Sequence, residues 1–289
     1  VRLAYCIFAH QRPSQLRRLM RAIWRPQHIY LIHIDARANA ACHDAVRDLA
    51  FEPNVALLEP RATPWGGWGI VRTELRAMRR LLERGDWTYY VNLSGQDFPL
   101  QTQEEIAVAL ERLPRRDWVQ YEHTLDPERA TELARREMLF SIDLPWRDET
   151  LIRFTPPWRT MLLEGATRYL GSQWKIVTRE TCEFLVQPRN TRRFRAAYWG
   201  TRLPDESFFQ TVLLNSSRRG TVAGHNWHFI DWESGPQHPR IFGIDDLPRL
   251  EASDAFFARK FDERVDDAVL VALEQRLGLR EAEREREIA

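Results

Sequence analysis

The sequence predicts an α/β protein whose mostly parallel central sheet is covered by helices on both faces. Three observations lead there. Short apolar runs rich in strand formers recur at 2–10, 28–35, 54–60 and 87–95. Helical patterns separate them, at 39–50 and 69–84 most clearly. No internal repeat, low-complexity segment or linker interrupts the 289 residues, so one domain over 1–289 is expected.

Taken in order, "RLAYCIFAH" (2–10) is a buried-type strand that stops before Pro13 and Ser14. Leu16, Leu19, Met20, Ile23 and Trp24 then recur at helical spacing, with arginines largely on the other side. "HIYLIHID" (28–35), "NVALLEP" (54–60) and "WTYYVNLSG" (87–95) complete a βαβαβαβ series, which places ligands at the carboxyl ends of the strands. Thr102 with Glu105 before "IAVALERL" is a capping box that opens a helix, and "DWVQYEH" (117–123) is a further strand. In 124–170 Pro, Trp and Arg are scattered without period, so this stretch is expected to be an irregular insertion on the acceptor side of a cleft. "WKIVT" (174–178) is again a strand, followed by a helix after Thr178, a helix in 203–216 and the strand-like "HNWHFIDW" (225–232). "DDAVLVALEQRL" (266–277) is helical, and 278–289 reads as its frayed tail.

Composition narrows the function. Acids and bases nearly cancel at net charge +1, so no nucleic-acid partner is implied. Cys6, Cys42 and Cys182 are odd in number and lack metal-type spacing; reduced thiols and a cytoplasmic location are expected. No leader pattern opens the sequence and no apolar run approaches the roughly 20 residues that span a bilayer. Membrane association would therefore be peripheral, at the inner membrane, with Arg17, Arg18 and Arg21 as either lipid contacts or a solvated face. Of 42 basic side chains only Lys175 and Lys260 are lysines, which singles both out.

The stretch "LPDESFFQTVLLNS" (203–216) sets two acids at a helix entrance. Asp205 suits the N-cap, and Glu206 projects along the flank of the stripe formed by Phe208, Phe209, Val212 and Leu213. A carboxylate at the edge of a buried face loses water and becomes a better general base. The same pair also fits two acids that merely favour a positive helix end. "TPWGGWG" (63–69) opens a helix after the third strand, and fits either backbone approach to a phosphate or a packed helix entry. Asp35 and Asp97 end strands at one predicted sheet edge, as caps or as acceptors for a ribose or a uracil N–H. No D-x-D pair is present to hold a divalent metal; "DWE" (231–233) is the nearest substitute. His225 and His228 point to opposite faces of a strand, which favours a structural role. Without a metal, fixed cations such as Arg240, Arg259 and Lys260 could hold a departing diphosphate.

In this order "AHQR" (9–12), "IHID" (32–35), "WGG" (65–67), "NLSGQDFPL" (92–100), "GSQW" (171–174), "PDESFFQTVLLNS" (204–216) and "FFARKFD" (256–262) resemble the core-2/I-branching β-1,6-N-acetylglucosaminyltransferases and peptide O-xylosyltransferases. The resemblance implies a GT-A-type α/β/α sandwich, a UDP-sugar donor, inversion at the anomeric carbon, and no cofactor or divalent metal. It maps the catalytic base to Glu206 and the diphosphate site to Arg259 and Lys260, with Arg240 as a further partner. Asp35 falls on the uracil side, Trp65 and Trp174 line the donor sugar and cleft, and His10, Gly66 and Asp97 complete the donor-binding set. Xylose and N-acetylglucosamine both fit as the sugar; a glycan, a lipid-linked glycan or a peptide fits as acceptor. Gln173 stands where the xylosyltransferases carry Asp, which bears on acceptor recognition. The alternative is a catalytically silent glycan- or nucleotide-binding domain of the same fold. A metal-dependent nucleotidyltransferase would need the missing acidic pair.

Overall fold

The computed structural model describes residues 1–47, 49–123, 127–144, 146–233 and 238–279. Its first 94 residues build the expected alternation: β1 (Leu3–Ala9), α1 (Pro13–Ile23), β2 (Ile29–Ile34), α2 (Ala40–Arg47), β3 (Val55–Leu58), α3 (Trp68–Leu82) and β4 (Tyr89–Ser94). β1 runs parallel to both β2 and β4, and β2 to β3. Alternation of side chains along β1 sorts the layers. Leu3, Tyr5 and Ile7 pack with Leu16 and Leu19 of α1 and Val46 of α2, while Ala4 and Cys6 pack with Val71, Leu75 and Met78 of α3.

The chain continues through β5 (Phe98–Pro99), α4 (Gln103–Arg112), β6 (Asp117–His123), α5 (Pro127–Glu137), β7 (Leu139–Leu144), β8 (Arg147–Arg153) and α6 (Pro157–Leu162). β9 (Tyr169–Thr178), α7 (Arg179–Val186), α8 (Pro188–Tyr198), α9 (Phe208–Leu214) and β10 (Val222–Ala223) follow, then β11 (His228–Ile230), α10 (Leu247–Glu251), β12 (Phe257–Arg259) and α11 (Ala268–Arg276). The main sheet has the order β10-β6-β9-β4-β1-β2-β3, with β9 antiparallel to both neighbours. α1, α2 and α4 cover one face; α3, α7, α8 and α9 cover the other. The result is a three-layer α/β sandwich with a mostly parallel sheet. Strand order reverses between β1 and β4, which opens a crevice at their carboxyl ends.

The segment 124–170 differs from the expected irregular insertion. Its described residues form α5, the β7–β8 hairpin, α6 and the start of β9. The helix was hidden because α5, "PERATELARRE", is nearly all polar, with Leu133 its one deeply buried apolar residue. The hairpin carries its aromatic residues on one face only, where Phe140 meets Phe154 and Trp199.

β5, two residues long, pairs with β12, and β12 with β11. This small sheet brings "FFARKFD", late in the sequence, beside "SGQDFP" after β4. Only three residues of the strand expected over 225–232 take part. Most of the expected tail at 278–289 lies outside the described residues. Cys6, Cys42 and Cys182 are buried free thiols. No helix among the described residues is long and apolar enough to cross a membrane.

Candidate active site

The two adjacent acids do not share a helix cap. Pro204–Glu206 is a separate 3-10 turn, and α9 starts only at Phe208 with no side-chain cap. Asp205 therefore is not the N-cap expected of it: Pro204 starts a tighter turn, and Ser207 is drawn into the core instead. The Ser207 hydroxyl donates to the Tyr169 carbonyl at 2.7 Å and meets the Tyr198 hydroxyl at 2.8 Å. From the other side the Leu203 N–H donates to the Gly66 carbonyl at 2.9 Å. Gly66 adopts φ 76°, a left-handed conformation that suits glycine. The "WGG" loop thus holds the turn that carries the acids.

The acids have opposite environments. Asp205 is buried and its Oδ1 has no hydrogen-bond partner. Burial first, and the Glu206 charge second, push its carboxyl up to about 7. Glu206 is partly exposed, and its Oε2 accepts from Arg136 Nη1 at 2.9 Å. Arg136, on the last turn of α5, is held in turn by Glu132 at 2.7 Å. One acid is shielded from solvent and proton-retaining; the other faces out and is ion-paired.

The β5–β12 pairing brings a cation to the same place. Arg259 Nε lies 3.4 Å from Oδ1 of the fully buried Asp97, and its guanidinium sits 4.4 Å from the Trp174 ring centroid. Burial lowers the pKa of Arg259, while Asp97, Glu206 and Asp205 act to raise it. Asp97 is occupied on its other contacts by the Ser94 backbone N–H (2.6 Å) and hydroxyl (3.1 Å). Trp174, 3% exposed, stacks on His228 at 5.1 Å. His228 faces Asp97 across 3.9 Å, and burial lowers its pKa so that it stays neutral. Asp97 and Trp174, both almost fully covered, form a bed under Arg259.

Lys260 and Arg240 meet through their backbones, the Lys260 N–H donating to the Arg240 carbonyl at 3.3 Å. Burial and the neighbouring Arg259 charge lower the pKa of Lys260. The Phe261 N–H donates to the Gln96 carbonyl, buried Gln15 bonds the Gly95 and Phe261 carbonyls, and Arg12 grips Asp262 at 2.8 and 2.6 Å. Arg240 donates to Asp246 at 3.2 Å and leaves about half of its side chain exposed.

The remaining expected residues line the same carboxyl edge. His10 is exposed just after β1. Asp35 accepts from the Arg37 and Thr63 backbone N–H groups, from Arg37 Nε and from the Thr63 hydroxyl. Burial would raise its pKa, but these donors hold it at about 2. Trp65 is 44% exposed beside Arg202 and His238. The α3 N-terminus is not free for a phosphate. Asp143 of β7 fills the space in front of it: a Cβ on Gly67 would lie 1.9 Å from its Oδ1, and one on Gly69 3.3 Å from its Oδ2. Of the α1 arginines, Arg18 is bound to Glu274 and Asp267.

Arg136, Asp143 and Gln15 were not singled out in the sequence. Arg136 had one available signal, the Glu132 spacing of four on a helix. With Arg135, Met138, Leu139, Arg153 and Arg202 it lines a groove of 360 Å³ beside Glu206. A larger cavity of 550 Å³ between α6 and the end of α5 holds none of the candidate residues. Among the described residues no three His, Cys, Asp or Glu side chains are grouped to hold a metal ion.

Comparison with known proteins bears on this arrangement. A xylosyltransferase of Ciona intestinalis is 30% identical over 96% of this chain and 34% of its own length. Xylosyltransferase 2 of Mus musculus is 31% identical over 95% of this chain and 33% of its own. The chain thus spans about a third of these relatives. Among solved structures, mouse xyloside xylosyltransferase 1 aligns over 89% of this chain and 97% of its own with TM-score 0.41 and 10% identity. The family model described as "Branch: Core-2/I-Branching enzyme" matches residues 3–252, a span that takes in the β1–β4 edge and the turn bearing Glu206. By that match the chain belongs to the core-2/I-branching enzyme family.

Proposed function

We propose that the chain is an inverting glycosyltransferase that moves a sugar, xylose or N-acetylglucosamine, from a UDP-sugar to a hydroxyl of a glycan, lipid-linked glycan or peptide, without a divalent metal. The observation that carries this reading is Glu206, an acid held on a rigid turn at the carboxyl edge of the sheet, open to solvent and close to fixed cations. Family membership supports the UDP-sugar donor and the transfer reaction.

In the proposed reaction Glu206 takes the proton of the acceptor hydroxyl as that oxygen bonds to C1 of the sugar, and the bond from C1 to the diphosphate breaks. UDP leaves with the bonding pair. Lys260 and Arg240, joined through their backbones, meet the new charge on the diphosphate. One displacement needs one base, and it inverts the anomeric carbon. Asp35, His10 and Trp65 form the nucleoside and sugar side of the donor site. Gly66 acts through Leu203 on the turn, and Asp97 with Trp174 acts through Arg259.

Glu206→Gln tests the reading. Turnover falls on the order of 10²-fold or more while UDP affinity holds, because general-base assistance is commonly worth that much. Wild-type turnover in this variant would retire Glu206 as the base. UDP binding without UDP release, across donors and acceptors, would mark a silent binding domain instead.

A further inference from the structure

Glu206 raises a difficulty as a base, because a guanidinium already occupies it. Arg136 Nη1 donates to Oε2 at 2.9 Å, so one of the two carboxylate oxygens is already taken. A loose surface pair would carry no meaning. This one is not loose. The Arg136 side chain is 13% exposed, and its Nε is tied to Glu132 at 2.7 Å, so the fork is fixed before it reaches Glu206.

The helix end that carries Arg136 is anchored as well. The carbonyl of the next residue, Glu137, accepts from Nη1 of Arg159 at 2.6 Å. Arg159 is 2% exposed, and its Nε donates to the Ala197 carbonyl at 3.0 Å, which fastens α5 to α8. The Glu137 side chain is itself paired with Arg168. Arg136 is thus a cation held from behind by a buried arginine and aimed at one oxygen of one acid.

The neighbouring acid shows what this achieves. Asp205 is buried and its Oδ1 is unpartnered; Glu206, one residue on, has the guanidinium. Arg136 marks the difference between two adjacent carboxyls, one shielded and one held in a fixed orientation. With Oε2 taken, Oε1 of Glu206 accepts no hydrogen bond among the described residues and is the oxygen left for a hydroxyl.

We propose that Arg136 is a positioning residue for the transfer: it holds Glu206 fixed by Oε2, so that Oε1 faces the acceptor. The inference rests on Glu206 being the base. It also makes the 124–170 excursion a part of the catalytic arrangement, through α5.

The test compares Arg136→Ala, Arg136→Lys and Glu206→Gln with the whole chain, using the UDP-sugar that it turns over. Misplacing a reacting group by about 1 Å costs on the order of 10²-fold, so Arg136→Ala should lose that much kcat. Its UDP affinity should stay within about twofold, since no phosphate contact is removed. Arg136→Lys keeps the charge without the two-point hold and should fall between. Added guanidinium, below denaturing concentration, should restore turnover to Arg136→Ala and none to Glu206→Gln.

Unchanged kcat in Arg136→Ala, a loss confined to KM, or no response to guanidinium with Arg136→Lys no better than Arg136→Ala would each overturn the inference. If Arg136→Ala does not fold, Glu132→Ala removes the second tether and should lower kcat in the same direction; wild-type kcat there would overturn it too. An inactive Glu206→Gln beside a fully active Arg136→Ala defeats this inference alone. A fully active Glu206→Gln defeats the base assignment, and this inference with it.

Discussion

Replacing Asp205 by Asn tests the electrostatics of the turn apart from any chemistry. Burial and Glu206 raise the Asp205 carboxyl from 3.8 to about 7 in the fold. Its folded-state pKa lies above the unfolded one, so the folded protein binds the extra proton between these values. Stability attributable to this group is therefore fully present below 3.8 and declines as pH rises to about 7, staying flat beyond. Each unit is worth about 1.4 kcal/mol, so the ionised side chain opposes folding by about 4 kcal/mol at pH 8 and by about 2 kcal/mol at pH 5.

Asn has the same shape, stays neutral, and keeps an oxygen for the residue's own N–H. Any packing or hydrogen-bond loss it brings is independent of pH. Urea unfolding of both proteins at pH 5 and pH 8 should thus show the variant gaining about 2–3 kcal/mol relative to wild type between the two conditions. Equal differences at the two pH values would mean that Asp205 is not titrating in the fold. A variant that loses ground as pH rises would mean that the ionised form is the stabilised one, and the account of the two acids would fail.

Other consequences follow from named contacts. Burial and Arg259 lower the pKa of Lys260, and a bound diphosphate would raise it again; calorimetry in buffers of different ionisation heat should show proton uptake with UDP at alkaline pH, and affinity should fall as pH rises there. Lys175 and Glu74 form an ion pair at 2.8 Å with both side chains fully buried, so Lys175→Met should lower unfolding free energy by about 3–5 kcal/mol, most of it recovered by adding Glu74→Leu. Gly67→Ala, whose Cβ would strike Asp143, should be less harmful in an Asp143→Ala background than alone, read by thermal melts of the double-mutant cycle.

β1, β2 and β4 were legible because a buried parallel strand is an unbroken apolar run, and edge strand β3, with Leu57 exposed, because it too is wholly apolar; the helices between them carry a clear stripe. β5 was not legible: two residues give no period, although they place Arg259 beside Asp97. α5 was illegible for the opposite reason, since a polar helix fixed by Arg136, Glu137 and Leu133 shows no apolar face. Glu206 could be found from its place beside a buried stripe; Arg136 could not be joined to it, because 70 residues separate them. The division of Asp205 from Glu206 was also beyond the sequence. It depends on a 3-10 turn in place of a regular helix entry, which turns one side chain inward and the other outward.

Three cations meet the candidate site and their surroundings assign them different work. Lys260 is joined to Arg240 and sits on a loop braced by Gln15, Gln96 and Arg12, and its side chain makes no ion pair with an acid among the described residues; in the proposed reaction a diphosphate supplies one. Arg259, expected to share that task, lies instead on Trp174 and against Asp97, with Glu206 and Asp205 near enough to raise its pKa. A guanidinium so committed balances the acids of the site and has less to offer a phosphate. Arg136 arrives from the excursion and takes one oxygen of Glu206 alone. Lys260 and the guanidiniums of Arg259 and Arg136 thus come from two stretches that the sequence keeps far apart, the end of β12 and the last turn of α5.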